Sequence, residues 1–112
     1  MANKIKITFV LPITLQREIK ERVIKDNYDL KGKSQWVSEA IEKLLVIYSF
    51  PDLVILNDEM KTFDKLESIV VSPRLKQQLN KAIIDVRIKH PSIEGVQSRI
   101  IRTAIVQRLL DL

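Results

Sequence analysis

Apolar and polar side chains alternate along residues 5–11. Ile5, Ile7, Phe9 and Leu11 fall on one side, and Lys6, Thr8 and Val10 continue the line of Lys4 on the other. Successive side chains of a strand point to opposite faces, so this period of two predicts a half-buried strand. Pro12 has no amide to donate and a fixed φ, which ends the strand and suits the first position of a helix. The period then changes. Leu15, Ile19 and Val23 recur every four residues among Gln16, Arg17, Glu18, Lys20, Glu21 and Arg22, predicting an amphipathic helix that ends near Asp26 or Asn27. After a polar loop over 27–33, Ser34 is a candidate N-cap. The second helix runs through Trp36, Val37, Ala40, Ile41, Leu44, Leu45 and Tyr48 and ends by Pro51.

Residues 51–64 read as a connector with an apolar run, Leu53-Val54-Ile55-Leu56, flanked by Asp52, Asn57, Asp58 and Glu59. The run serves either as packing of the connector or as an exposed contact for a second molecule. The pattern then begins again. Leu66 to Val71 reads as a strand, and Ser72-Pro73 is a helix start, a capping hydroxyl followed by proline at the first helical position. Leu75, Leu79, Ile83 and Val86 form the stripe of a third helix; Pro91, Ser92 and Gly95 lie in a loop. Ser98 then caps a fourth helix carrying Ile100, Ile101, Ala104, Ile105, Leu109 and Leu110.

The two halves superpose. Leu15, Ile19 and Val23 match Leu75, Leu79 and Ile83 at an offset of sixty, and Ser34, Ala40, Ile41 and Leu45 match Ser98, Ala104, Ile105 and Leu109 at sixty-four. The change of offset places four extra residues in the second interhelical loop, where insertions are tolerated. Strand, helix, loop and helix occurring twice in the same order predict an internal pseudo-symmetry. The expected order is β-α-α-connector-β-α-α, mainly helical. The first repeat is 1–50 and the second 65–112, together one compact unit. Residues 5–11 should pair with 65–71, because neither strand can bury its apolar face alone. Glu67 falls on the core side of the second strand, which predicts that this strand is frayed or shifted at its start.

Composition narrows the class. With 46% apolar and 29% charged residues in 112, the chain is an ordinary globular one, long enough for a core. It has no cysteine, which excludes disulfides and thiolate metal sites. Pro12 interrupts the first apolar run, arguing against a signal peptide, and the region 44–56 is broken by Ser49, Pro51 and Asp52, far short of a membrane span. A cytoplasmic location is expected. The net charge of +5 is spread over both halves: nine basic and seven acidic residues in 1–56, ten and seven in 57–112. Such an excess suits a nucleic-acid partner without selecting one.

The motifs carry more. Ile7-Thr8-Phe9-Val10-Leu11-Pro12 with Leu15 three residues on, and Gly32-Lys33-Ser34 leading into Ser38-Glu39-Ala40-Ile41, resemble the ribbon-helix-helix family of Arc and MetJ type repressors. Val70-Val71-Ser72 with Leu75 and Leu79, then Ser98 to Ala104-Ile105, repeats the match, so the chain resembles the tandem, TraY-like arrangement. In that family two strands, normally one per subunit, form a ribbon that enters the DNA major groove. The resemblance implies a mainly α fold with a two-stranded antiparallel β-ribbon, an intramolecular pseudo-dimer with double-stranded DNA as partner and possible self-association on tandem sites. It implies Lys6, Thr8 and Val10, with Leu66, Ser68 and Val70, as the groove-facing positions. Lys6 can donate to guanine O6 and N7, Thr8 can donate or accept, and a valine methyl can meet a thymine methyl. Leu66 and Val70 leave the second strand little hydrogen-bonding capacity, so an asymmetric site is expected. Lys4 and the helix starts, Lys33, Ser34 and Gln35 with Gln97, Ser98 and Arg99, are implied as phosphate contacts, since free amides and the helix dipole form an anion site. Transcriptional regulation is the implied role. The alternatives are an accessory protein of plasmid transfer or partition and a protein-binding, antitoxin-like module.

The remaining singular residues read as structural: Trp36 as core, Tyr28 and Tyr48 as packing. His90 is the only histidine, with Asp85 and Ser92 near it in sequence. No oxyanion site, phosphate-binding glycine loop or metal-ligand spacing accompanies them, so no enzymatic activity, cofactor or small-molecule substrate is expected.

Overall fold

The computed structural model describes residues 4–29, 32–56 and 65–110. The chain runs β1 (Ile5–Leu11), α1 (Ile13–Lys25), α2 (Gly32–Leu45), α3 (Phe50–Leu56), β2 (Lys65–Val71), α4 (Pro73–Lys89) and α5 (Val96–Leu110). It is mainly helical, with one two-stranded antiparallel sheet. β1 pairs with β2 from Ile5 opposite Val71 to Leu11 opposite Lys65, with Thr8 facing Ser68 at the centre. Residues 5–11 therefore meet residues 65–71 of the same chain. Ile7, Phe9, Leu11, Ile69 and Val71 turn inward and are buried, and α2 and α5 lie against β2 and β1 beneath them. Trp36, Val37, Ile41 and Leu44 of α2 pack in one core with Ile100, Ile101 and Ile105 of α5.

Local signals explain the helix ends. Pro12 precedes α1, and Asn27 at φ 64° ends its C-terminal turn, with the Tyr28 amide returned to the Val23 carbonyl at 3.0 Å. At Gly32 a Cβ would collide with that of Tyr28, so only glycine lets the chain enter α2 so close to the loop. Ser72 caps α4, its hydroxyl accepting from Leu75 N at 3.1 Å, with Pro73 at the first helical position. Gly95 sits in the left-handed region at φ +61° and its carbonyl accepts the first intrahelical bond of α5, from Arg99 N at 3.0 Å.

Three expectations are corrected. First, α2 does not run to Pro51. It stops at Leu45, and Pro51 is the second residue of α3, in a first turn whose amides need no helical partner. Part of the connector is thus a helix: Phe50 and Val54 are buried against α4 and α5, so the apolar run serves packing. Asp52 fixes α3 to the end of α4 through Lys89 Nζ at 3.0 Å and His90 Nε2 at 3.5 Å, and the bond from Lys89 holds its carboxyl below the ordinary carboxylate value. Second, β2 is neither frayed nor shifted. Glu67 keeps its core-side register opposite Phe9 because Lys33 Nζ, at 2.9 Å, and Gln16 Nε2, at 3.2 Å, satisfy its carboxylate. Third, Tyr48 packs on nothing and is fully exposed.

Phe9 is 2% exposed at the middle of the inward face. Phe9→Ala should cost about 3–5 kcal/mol by transfer and cavity terms together. Phe9→Asp should leave no cooperative unfolding transition, because a charge there has no partner. Urea denaturation followed through the single tryptophan, which is wholly buried, measures both.

Candidate nucleic-acid interface

The outer face of the ribbon carries the residues that the helices leave uncovered. Lys4, Lys6 and Thr8 are exposed; Val10 is half-buried. Across from them on β2, Val70 faces Lys6, Ser68 faces Thr8 and Leu66 faces Val10. Val70 and Leu66 are exposed and Ser68 is half-buried, so the seven form one continuous surface without an acidic side chain. Alternation is the cause. Burial of positions 7, 9, 11, 69 and 71 leaves the intervening residues nowhere to point but out.

A two-stranded ribbon has two open edges whose amides and carbonyls need partners. Both are closed by the first turn of a helix. Val70 N donates to Ser34 Oγ at 3.1 Å on one edge, and Val10 N donates to Ser98 Oγ at 3.2 Å on the other. Ser34 and Ser98 are therefore not N-caps, as their sequence context suggested. Each is the third residue of its helix, and its hydroxyl accepts from the ribbon. These two contacts bring the N-terminal turns of α2 and α5 to opposite flanks of the outer face. On the β2 side Lys4, Lys33, Ser34, Gln35, Ser68 and Val70 line an open groove of about 790 Å³, together with Glu39 and Glu42. The predicted phosphate-contacting residues Lys33, Ser34 and Gln35 are thus gathered beside β2, and Ser98 and Arg99 lie at the start of α5 beside β1.

Several of these side chains already have partners within the chain. Lys33 is paired with Glu67, Gln35 Nε2 donates to Glu39 Oε2 at 3.2 Å, and Arg99 Nε donates to the Glu94 carbonyl at 3.1 Å. Gln97 Nε2 donates to the Thr8 carbonyl at 2.9 Å. Two arginines escaped the sequence reading. Arg102, 6% exposed, donates to the Val10 carbonyl at 2.7 Å and so seals the β1 edge that Ser98 begins to close. Its signal was present: Ile100, Ile101, Thr103, Ala104 and Ile105 leave α5 no polar stripe, so an arginine among them must be buried.

The second is Arg108. Its guanidinium donates to the Trp36 carbonyl at 2.7 Å, to Glu39 Oε1 at 3.2 Å and to Tyr28 Oη at 2.8 Å, and lies 4.6 Å from the Trp36 ring centroid. Tyr28 in turn donates to Glu39, and Trp36 Nε1 to Asp26 Oδ2 at 2.9 Å. This network joins the loop after α1, the first half of α2 and the end of α5, and holds the helices that flank the ribbon. His90, by contrast, touches only the α3–α4 junction. Among the described residues no three His, Cys, Asp or Glu side chains are grouped to hold a metal, and no helix is long and apolar enough to cross a membrane.

Comparison with protein-family models, with curated proteins and with solved structures returns no match to this chain.

Burial alone would raise the Glu39 carboxyl. Hydrogen bonds from Tyr28, Gln35 and Arg108, with the Arg108 charge, outweigh it and hold the group below its ordinary value of 4.5. A carboxylate depressed on folding stabilises the protein above its unfolded value and loses that contribution as pH falls through the folded one. The urea midpoint should therefore decline below about pH 4.5, and Glu39→Gln should flatten that decline while lowering the midpoint at neutral pH. A variant whose profile matches the parent at every pH would remove Glu39 from the network's energetics.

Proposed function

We propose that this chain is a tandem ribbon-helix-helix protein, an intramolecular pseudo-dimer that binds double-stranded DNA by laying its β-ribbon in the major groove, as a transcriptional regulator. The observation that supports this most is the pair of edge bonds. Val10 to Ser98 and Val70 to Ser34 are related by the same offsets, sixty between strands and sixty-four between helices, that relate the two halves of the sequence. A two-fold disposition of helix starts about a bare, acid-free ribbon face is a surface suited to two phosphate backbones with a groove between them.

The dimensions agree. A major groove about 12 Å wide admits two strands about 5 Å apart. In this reading Lys6, Thr8 and Ser68 hydrogen-bond base edges, Val10 and Val70 make apolar contacts, and Lys4, Arg99 and the amides of the α2 and α5 first turns hold phosphates. The strands differ in sequence, so one molecule reads an asymmetric site, and several molecules can line up on tandem copies of it.

Lys6→Ala or Thr8→Ala should weaken binding to a preferred duplex by about 1–3 kcal/mol and to random DNA far less. Lys4→Ala should weaken both nearly equally and reduce the slope of affinity against salt by about one unit. Titrations on specific and random duplexes at several salt concentrations measure both effects. Retention of full discrimination by the Lys6→Ala, Thr8→Ala double variant would refute groove reading by this face and favour a protein partner.

A further inference from the structure

We infer that the outer face of the ribbon is polarised end to end, and that its apolar end, Val10 with Leu66, recognises the C5-methyl group of thymine. The inference rests on the DNA reading above and names what one end of that surface selects. It begins from a conflict in β2. Glu67 lies on the inward side with its side chain 15% exposed, while its neighbour Leu66 stands 68% exposed on the outer face. A slip of one residue would reverse the two, but it would also expel Ile69 and Val71 from the core. Core burial therefore accounts for the register. It does not account for leucine at position 66, where a polar residue would serve the fold as well. A residue that the fold does not call for is open to another role.

Leu66 is not a lone exposed apolar residue, which would mean nothing. It lies directly opposite Val10. The Val10 amide points away from β2, to Ser98, so Val10 and Leu66 form a pair without mutual hydrogen bonds, the type whose side chains approach more closely. The outer face thus reads, from one end to the other, Val10 with Leu66, Thr8 with Ser68, and Lys6 with Val70. The first pair is wholly apolar, the second is two hydroxyls, and the third carries the cation.

The occupant follows from charge and chemistry together. Among the described residues no acidic side chain stands on this face, Lys4 and Lys6 lie toward one end, Arg99 lies in the first turn of the helix bonded to the other, and the chain carries +5 overall. A cationic surface with an apolar end fits a polyanion that offers an apolar point of contact, and in the major groove that point is the thymine methyl, which no other unmodified base presents. Outward residues on a strand recur about every 6.8 Å, close to two base-pair steps. The apolar and cationic pairs are therefore separated by roughly four steps, and the site has a thymine at one end and a guanine toward the other. Such a site has a direction, and the protein binds it in one orientation.

The test begins with selection of a preferred duplex by the full chain from a random pool. Each thymine of that duplex is then replaced singly by deoxyuridine, which removes only the methyl. Wild-type protein should bind about fourfold more weakly when a thymine at one end of the site is replaced, and unchanged when thymines elsewhere are. Leu66→Ala should bind the thymine and deoxyuridine duplexes equally. Its fold is checked by the Trp36 fluorescence, and the wild-type measurements need no variant at all. Indifference of the wild type to every replacement, or a folded Leu66→Ala that keeps the full preference for thymine, would overturn the inference while leaving DNA binding intact. Failure to select any preferred duplex would overturn the DNA reading and this inference with it.

Discussion

The structure depends on one constraint: two seven-residue strands, each apolar on a single face, must pair in a single register. A two-stranded ribbon is marginal in water by itself. Here Ile7 faces Ile69 beside the central Thr8–Ser68 pair, and Phe9, Leu11 and Val71 complete an inward surface that α2 and α5 cover. Pairing leaves the outer edges of both strands with unmet backbone groups, and these groups position the helices. Ser98, Gln97 and Arg102 come to the β1 edge and Ser34 to the β2 edge because donors and acceptors there need partners. The packing that completes the fold is thus the packing that strips the outer face and places two helix starts beside it.

The sequence offsets that align the two halves also expose where their chemistry differs. Position 102 in the second half corresponds to Ser38 in the first, and Gln97 corresponds to Lys33, so only the β1 edge has its Thr8 and Val10 carbonyls taken by long side chains. The β2 edge opens instead on the groove lined by Lys4, Lys33 and Ser34. Arg108 adds to the imbalance: it clamps the end of α5 onto Trp36 and Tyr28, and the residue sixty-four positions before it is Leu44, a core residue. α5 is consequently buried around most of its girth, while α2 keeps Lys43, Glu42 and Gln35 at the surface. A scaffold unequal in this way gives its ribbon two distinguishable ends.

What was legible in the sequence follows from the range of the forces involved. Strands and helices carry periods of two and four, and the punctuation at Pro12 and Ser72-Pro73 is local, so both strands follow from pattern alone, while their antiparallel pairing comes with the resemblance. The errors came where a residue's partner is distant. Ser34 and Ser98 look like caps because a capping hydroxyl and an edge-bonding hydroxyl occupy nearly the same place in a helix's first turn. The deciding amides lie 36 and 88 residues away. Glu67 looks like a fault in a strand until Lys33, 34 residues distant, is seen beside it. Pro51 reads as a stop, although a proline within a first turn costs a helix nothing, and the burial of Phe50 and Val54 that favours α3 is a tertiary effect.

The Glu67–Lys33 pair also bears on the two flanks of the candidate interface. Lys33 is 37% exposed and Glu67 only 15%, so a phosphate that drew the ammonium away would leave a largely buried carboxylate with Gln16 as its remaining donor. Breaking one partner from such a pair costs more than making it contributes. The charge of Lys33 is therefore committed first to Glu67. The lysine that the resemblance would assign to phosphate is the one that satisfies Glu67 on the inward side, in the register that burial of Ile69 and Val71 sets and that turns Leu66 out.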